Sequence, residues 1–186
     1  PFYGYENETR VYDKKFLGLA NPSNFSYPNL PSLPSTEKEI LRIGLTLGAK
    51  QEDLLINENA SYKNLKNKLS KSYEKIVFAT HAISSNDLND SQGLIISDPS
   101  NNDFLSAVDI INLGIRAELV VLSSCYPSRR KGSLFRIEDA PTLTKAFLVS
   151  GTNSVVSCTW EIDSIISSRI TESFFETMWK DNGIHK

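Results

Sequence analysis

The chain has 186 residues, a hydrophobic content of 40% and a formal net charge of −2. This length is enough for one well-buried core, so we expect a single domain over residues 1–186. The sequence opens on Pro1 and is a candidate piece of a longer protein. The charge argues against direct nucleic-acid binding, which favours a concentrated basic surface. Two cysteines do not make a disulfide framework, and no apolar stretch suits a membrane span or a signal peptide. We therefore predict a cytoplasmic protein without membrane contact.

The first quarter of the chain predicts a strand, a loop and a helix. Phe16 to Ala20 is a short apolar run, and residues 22–35 form a loop rich in Pro, Ser and Asn. Ser35 or Thr36 is placed to cap the helix that follows, with Glu39 reaching back as the acid of a capping box. The apolar stripe of that helix consists of Ile40, Ile43 and Leu47.

Strands and helices alternate through the rest of the chain, which predicts an α/β fold with a mainly parallel sheet covered on both faces. A polar loop is expected from Ser84 to Gln92, and Asp163 is placed to cap the last helix. The further strands are expected at residues 53–56, 75–81, 93–97, 117–122 and 154–159. The further helices are expected to begin near Ser61, Ser106, Leu143 and Asp163, the last with an apolar face of Ile166, Ile170, Phe174 and Met178.

Two of the apolar runs end in residues able to do chemistry. Lys75-Ile-Val-Phe-Ala-Thr-His81 ends in an imidazole, and Glu118-Leu-Val-Val-Leu-Ser-Ser-Cys125 ends in a thiol. In open α/β sheets the functional crevice lies beyond the carboxyl ends of the strands, so the two side chains are candidates to face each other there. An imidazole within reach of a thiol can take its proton and leave a nucleophilic thiolate. The pattern predicts a cysteine–histidine dyad.

Each of these residues alone has a simpler interpretation, because a free cysteine is usually a small core residue and a histidine after a strand is often only a loop residue. Scarcity favours the dyad. The other histidine, His185, lies at the C-terminus, and the other cysteine, Cys158, lies inside the apolar run that begins at Ser154. His81 and Cys125 are thus the one pair placed for catalysis.

Four segments together resemble the CHAT domain, a bacterial relative of caspases and separases. Phe78-Ala-Thr-His81 is similar to the family's FATH(G) motif, and Val121-Leu-Ser-Ser-Cys125 to its VLSAC motif. Ala146 to Val156 resembles AFLxAGaxSVV, and Thr159 to Asp163 resembles LWPVDD. The resemblance covers about residues 16–180 and implies a caspase-like three-layer fold, with a mainly parallel sheet between two layers of helices.

The resemblance also implies a cysteine endopeptidase that acts on a protein or peptide substrate without a metal or a cofactor. His81 corresponds to the base and Cys125 to the nucleophile, and the backbone N–H groups of Ala82 and Cys125 correspond to the oxyanion donors. Two positions depart from the family pattern. Ala82 replaces the usual glycine, and Ser124-Cys-Tyr-Pro-Ser128 replaces ACETG.

In caspase-like folds the segment that contacts the substrate follows the strand after the nucleophile's helix, which corresponds here to Cys158 to Asp163. Trp160 is a candidate to pack against a substrate side chain, and Glu161, Asp163 or Asp98 to pair with a basic one. Structural alternatives remain open. Trp160 could instead cover the sheet, Asp163 could only cap the last helix, and Asp98 could only form a turn before the next proline.

Three classes of function remain. The first is a peptidase that an activating protein partner or a TPR-type region switches on, as the resemblance implies, and the second is a catalytically silent interaction module. The third is a redox or phosphatase-type thiol enzyme, but the chain has no CxxC, and Lys131 stands where the phosphatase pattern needs an arginine. The polar segment 126–139, with its basic cluster at residues 129–131, is a candidate switch loop or an ordinary connection.

Overall fold

A computed structural model describes residues 11–85, 91–98, 103–123, 143–158 and 162–184. In chain order the strands are β1 (Lys14–Ala20), β2 (Leu54–Ile56), β3 (Tyr73–Ala79), β4 (Ala82–Ser85), β5 (Ser91–Ile95), β6 (Phe104–Ser106), β7 (Ala117–Leu122) and β8 (Ser154–Ser157). The helices are α1 (Pro34–Leu47), α2 (Tyr62–Lys68), α3 (Ala107–Leu113), α4 (Leu143–Ser150) and α5 (Ser164–Ile184).

Five of the strands form a central sheet in the order β2-β1-β3-β7-β8, and every neighbouring pair is parallel. Alternate residues of β3 face opposite sides of the sheet. Ile76 and Phe78 belong to one apolar cluster, which α2, α3 and α4 cover, while Val77 and Ala79 belong to a second cluster, which α1 and α5 cover. The result is the expected three-layer α/β arrangement, with β3 buried in its centre.

Close packing fixes α1 against the sheet. A Cβ atom on Gly18 of β1 would lie 2.4 Å from Cγ2 of Ile40 in α1, so that position admits no side chain without displacing the helix. The predicted apolar stripe of α1 is confirmed, because Ile40, Ile43 and Leu47 are all buried. Its second half therefore lies flat on β1 and β3.

The predicted start of α1 is wrong. Leu33 is the N-cap residue, Pro34 opens the first turn, and no side chain caps the helix. Proline is suited to this position because its fixed φ is helical and the first N–H groups of a helix have no partner within it. Thr36 instead donates its hydroxyl to the Leu33 carbonyl oxygen, and Glu39 turns inward, where it is fully buried.

A second, antiparallel sheet of three short strands follows β3 in the chain, in the order β4-β5-β6. Neither β4 nor β6 was predicted from the sequence: β4 overlaps the polar loop expected from Ser84 to Gln92, and no strand was expected at residues 104–106. Residues 82–85 instead pair with residues 91–94 in an antiparallel ladder, with Ile83 opposite Gly93 and Ser84 opposite Gln92. A Cβ atom on Gly93 would lie 2.4 Å from the ring of Phe104, so this glycine permits close approach of β6.

The predicted apolar face of α5 is only partly right. Ile166 and Ile170 are more than half exposed, whereas Ser168 and Thr171 are buried against the sheet side. Farther along, Phe175 is buried in the second cluster, and Phe174 and Met178 pack partly against it. The first half of α5 thus presents hydroxyl groups, not isoleucines, to the interior.

A charged cluster closes the amino edge of the sheet, where the parallel strands begin. Asp53, just before β2, is buried and accepts hydrogen bonds from Lys14 (3.2 Å) and Lys68 (3.0 Å). The hydroxyl of Tyr73 donates to the same carboxylate over 3.4 Å. Burial alone would raise the pKa of Asp53, but the two lysines outweigh it and hold the pKa below the ordinary value of 3.8.

Candidate active site

His81 lies at the carboxyl edge of the sheet, directly beyond β3. The neighbouring strand at this edge is β7, whose Leu122 pairs with Phe78. The backbone N–H of Ser123 then donates to the Phe78 carbonyl oxygen over 2.9 Å, so β7 stays beside β3 for one residue past the last ladder pair. The strands that carry the two sequence motifs are therefore adjacent and parallel, as predicted.

Two contacts hold the imidazole of His81, which is half-buried. Its Nε2 lies 2.8 Å from the carbonyl oxygen of Pro31, and the ring of Phe25 meets it edge to face with 6.4 Å between centroids. A carbonyl oxygen only accepts hydrogen bonds, so Nε2 carries the proton. In the neutral imidazole this leaves the lone pair on Nδ1, the form a general base requires.

Ala82 begins β4, and its backbone geometry bears on the proposed oxyanion donor. The N–H of Ile95 donates to the His81 carbonyl oxygen over 2.8 Å, and Ala82 stands opposite Leu94. In an antiparallel ladder the next pair after a hydrogen-bonded one is non-hydrogen-bonded, so the Ala82 N–H points away from β5. Left-handed backbone at non-glycine residues of the described chain is confined to Asn21, Asn24 and Asn57. The alanine in place of glycine therefore fits this strand without strain.

The segment from residue 21 to residue 33 forms one wall beside His81, and polar contacts hold its first part. The hydroxyl of Ser97 donates to the Ser23 carbonyl oxygen, and the backbone N–H of Ser26 donates to the buried carboxylate of Asp103. Phe25, between these two anchors, is thereby presented to the imidazole. Both anchors come from the connection between β5 and α3.

The other predicted site residues are less completely placed. Cys125, Trp160, Glu161 and the segment 126–139 lie outside the described residues, so the dyad and the loop switch stay predictions. Asp163 does cap α5, since its carboxylate accepts the N–H of Ile165 over 2.9 Å. Its role toward substrate stays a prediction, as does that of the half-buried Asp98, which follows the bridge between Ser97 and Ser61.

Cys158 differs from its prediction. β8 ends at Ser157, so this cysteine lies just beyond the strand instead of within it. It is free of any disulfide and half-buried. The sequence distinguished Cys125, beyond a strand, from Cys158, within one. Because Cys158 also lies beyond its strand, this distinction is weaker than expected.

A buried polar cluster beside the end of β7 was not predicted from the sequence. The Thr171 hydroxyl donates to that of Ser123 over 3.1 Å, and the hydroxyls of Ser123 and Ser167 are 3.2 Å apart. The carboxylate of Glu39 lies beside this cluster. Neither of its oxygens has a hydrogen bond of normal geometry within the described part of the chain, and the same holds for the hydroxyl of Ser168.

The electrostatics of Glu39 follow from this environment. Burial raises its pKa from 4.5 to about 7, and the nearby hydroxyls of Ser123, Ser168 and Thr171 offset only part of that rise. A signal was present in the sequence, because Glu39 stands next to Ile40 and one turn from Ile43 on the buried stripe. The capping-box interpretation took precedence over that periodicity.

The chain belongs to the CHAT domain family, whose model matches residues 4–185. This family is related to the caspase-like peptidases, and the three-layer α/β architecture is compatible with that relationship. No curated protein matches the chain.

Two features are absent from the described residues. None of the helices there has both the length and the apolar content to cross a bilayer. In the same ranges no three His, Cys, Asp or Glu side chains come together as metal ligands would.

Proposed function

We propose that the protein is a cysteine endopeptidase in which His81 activates the thiol of Cys125. One observation carries the proposal: β3 and β7 pair in a register that matches Phe78 with Leu122. His81 and Cys125 each follow three residues after that pair in the sequence. Equal spacing beyond a shared register is what a dyad at the edge of a parallel sheet requires.

The state of the imidazole supports the same assignment. With its Nε2 proton donated to the Pro31 carbonyl oxygen, His81 offers Nδ1 as the base. In the proposed reaction Nδ1 takes the thiol proton, and the thiolate sulfur attacks the carbonyl carbon of the scissile peptide bond. The tetrahedral intermediate collapses as the imidazolium returns its proton to the departing amine. Water then hydrolyses the thioester and regenerates the thiol.

The proposed oxyanion donors are the N–H groups of Ala82 and Cys125. The outward direction of the Ala82 N–H supports its part, because a donor already engaged within the small sheet would be unable to bind an oxyanion. Preorganised donors of this kind stabilise the transition state by about 3 kcal/mol each. They depend on the backbone and not on the side chain, so an alanine at residue 82 is compatible with the role.

A protein or peptide is the proposed substrate, with Trp160, Glu161, Asp163 and Asp98 as candidate contacts. A protein partner that acts through the segment 126–139 and raises a basal reactivity of Cys125 in the free protein is part of the same proposal. Hydrogen exchange of that segment with and without a covalent inhibitor tests it. Strong protection in the free protein that does not change on inhibition would exclude a switch.

Labelling with a panel of peptidyl electrophiles that differ in the residue at the cleavage position tests the proposal. In the wild type we expect one modification per chain, at Cys125. Cys125→Ala should not be modified, and His81→Gln should be modified much more slowly than the wild type. Cys158→Ala is the matched control and should label like the wild type. A folded wild type whose Cys125 reacts no faster than a free thiol with every member would instead support the silent interaction module.

A further inference from the structure

The carbonyl group that holds His81 belongs to a segment with little structure of its own. Residues 21–33 contain no helix or strand, and Pro31 is exposed. Pro31 has no N–H group, so it cannot be fixed by donating a backbone hydrogen bond. Its carbonyl oxygen is therefore placed by the residues around it in the chain.

One side chain holds both residues that follow Pro31. The Oδ1 atom of Asn21 accepts the hydroxyl of Ser32 over 2.9 Å and the backbone N–H of Leu33 over 2.7 Å. The bond from the Leu33 N–H holds the peptide unit between Ser32 and Leu33, and the bond from the hydroxyl holds the side chain of Ser32. The Pro31 carbonyl belongs to the peptide unit just before, so its direction is coupled to the Asn21 amide through Ser32.

Asn21 is itself rigidly held at the end of β1. It is 7% exposed, and its backbone N–H is shared between the Ala79 carbonyl oxygen at 3.3 Å and the Thr36 hydroxyl at 3.1 Å. Its Nδ2 donates to Oδ1 of Asn57 over 2.9 Å. Its φ of 43° is left-handed, which asparagine tolerates better than most residues. Every polar group of the side chain is therefore committed.

We infer that Asn21 is a positioning residue for the proposed dyad: through Ser32 and Leu33 it aims the Pro31 carbonyl at Nε2 of His81 and so selects the tautomer whose Nδ1 is free to act as base. This inference rests on the proposed function for its catalytic meaning. The tautomer itself is a property of His81 that does not depend on any reaction.

Asn21→Gly removes the amide and keeps the left-handed backbone free of strain. Asn24→Gly is a matched control, because Asn24 has a φ of 59° in the same segment and its exposed amide donates to the carboxylate of Glu58 over 3.4 Å. Asn21→Asp keeps an oxygen acceptor for Ser32 and Leu33 but brings a second carboxylate near Glu37, 3.5 Å from the present amide nitrogen. It should lower stability and leave the tautomer unchanged.

Nitrogen-15 NMR of the imidazole gives the decisive measurement, with the His81 signal assigned by its loss in His81→Gln. We expect a dominant Nε2-protonated form in the wild type, Asn24→Gly and Asn21→Asp, and a mixture of tautomers in Asn21→Gly. An unchanged tautomer in folded Asn21→Gly would overturn the inference. Should that variant not fold, Ser32→Ala removes one of the two bonds at an exposed position and must shift the tautomer in the same direction, or the inference fails.

Kinetics supplies the second readout. Asn21→Gly should slow inactivation of Cys125 by a peptidyl electrophile about tenfold with little change in the concentration for half-saturation, as expected when orientation and not binding is lost. Asn21→Asp and Asn24→Gly should stay within about threefold of the wild type. A wild type that is never labelled would refute the proposed function, while the NMR result would still decide the role of Asn21.

Discussion

Two buried carboxylates, one near each edge of the central sheet, have opposite environments. Asp53 at the amino edge receives two lysines and a tyrosine hydroxyl, and its pKa is held below 3.8. Glu39, beside the end of β7 at the carboxyl edge, has no cationic partner within the described residues, and burial raises its pKa to about 7. The amino edge is electrostatically satisfied, whereas the carboxyl edge is not.

The difference shows where this fold concentrates stability and where it places reactive groups. A carboxylate that is paired stabilises the folded state, and one that is buried without a partner opposes it once ionised. The unpaired group lies on the side of the sheet where His81 and the end of β7 are found. Changes at the amino edge should thus act on stability, and changes at the carboxyl edge on activity or on pH dependence.

The largest expected effect is a loss of activity without a loss of stability. Cys125→Ala should abolish labelling and cleavage, because the acylation route through the sulfur disappears, and should leave the unfolding midpoint within a few degrees of the wild type. Cys158→Ala, the matched change, should keep most activity. Equal loss of activity in both folded variants would contradict the assignment of the nucleophile.

Asp53→Asn should destabilise the protein by about 2 kcal/mol at neutral pH, since two lysines lose their shared acceptor. The contribution of Asp53 is present above its unfolded pKa of 3.8 and is lost as pH falls through its lower folded value. Urea unfolding at pH 7 and pH 3 checks both statements. The control is Glu52→Gln, whose exposed carboxylate also contacts Lys14 but should matter little.

Glu39 should make the wild type less stable at high pH, whereas Asp53 makes it less stable at low pH, and Glu39→Gln should remove the first of these effects. Because the folded pKa is raised, the protonated carboxyl of Glu39 does not destabilise the protein below about pH 4.5. The free energy of unfolding then falls as the pH rises from there through about 7. The wild type should therefore lose up to about 3 kcal/mol relative to the glutamine variant between pH 4.5 and pH 8. Parallel stability curves for the two proteins over this range would show that Glu39 does not titrate as described.

The smallest effect is expected at the surface of the α1–α5 contact. Arg42 and Glu172 form an ion pair of 2.9 Å, but the arginine side chain is 68% exposed. Arg42→Ala should change the free energy of unfolding by about 0.5 kcal/mol or less, and salt should reduce the difference further. A loss comparable to that of Asp53→Asn would mean that burial does not explain why the ion pairs of Asp53 stabilise the protein.

Most of the central sheet was predictable because its residues obey one simple rule. Continuous apolar runs such as Ile76 to Ala79 are buried on both faces, and the parallel pairing of β3 with β7 agrees with motifs that were expected to end at the same edge. Short amphipathic strands gave no such signal. β4 and β6, with four and three residues, are fixed by pairing with β5 and not by their own sequence.

The candidate site was predictable only in part, since its supporting contacts are made by groups without a sequence pattern. The role of Pro31 depends on a backbone carbonyl oxygen, which every residue has. The role of Asn21 depends on the path of the loop that brings Ser32 and Leu33 back to it. Glu39 satisfied two patterns at once, and the local one gave the wrong answer. In a helix that begins at Pro34, Glu39 lies beyond the first turn, where it cannot serve as a capping-box acid, and it is buried together with Ile40.

The pairing of β3 with β7 also bears on when the proposed site forms during synthesis. β1, β2 and β3 precede the small sheet, and β1 pairs with both of the others, but β7 joins β3 only after the small sheet and α3 have been made. Such distant parallel pairing is slow, because a long loop must close before its contacts form. A growing chain therefore carries His81 without its proposed partner. The proposed site is therefore expected to form late in folding, together with the completed sheet.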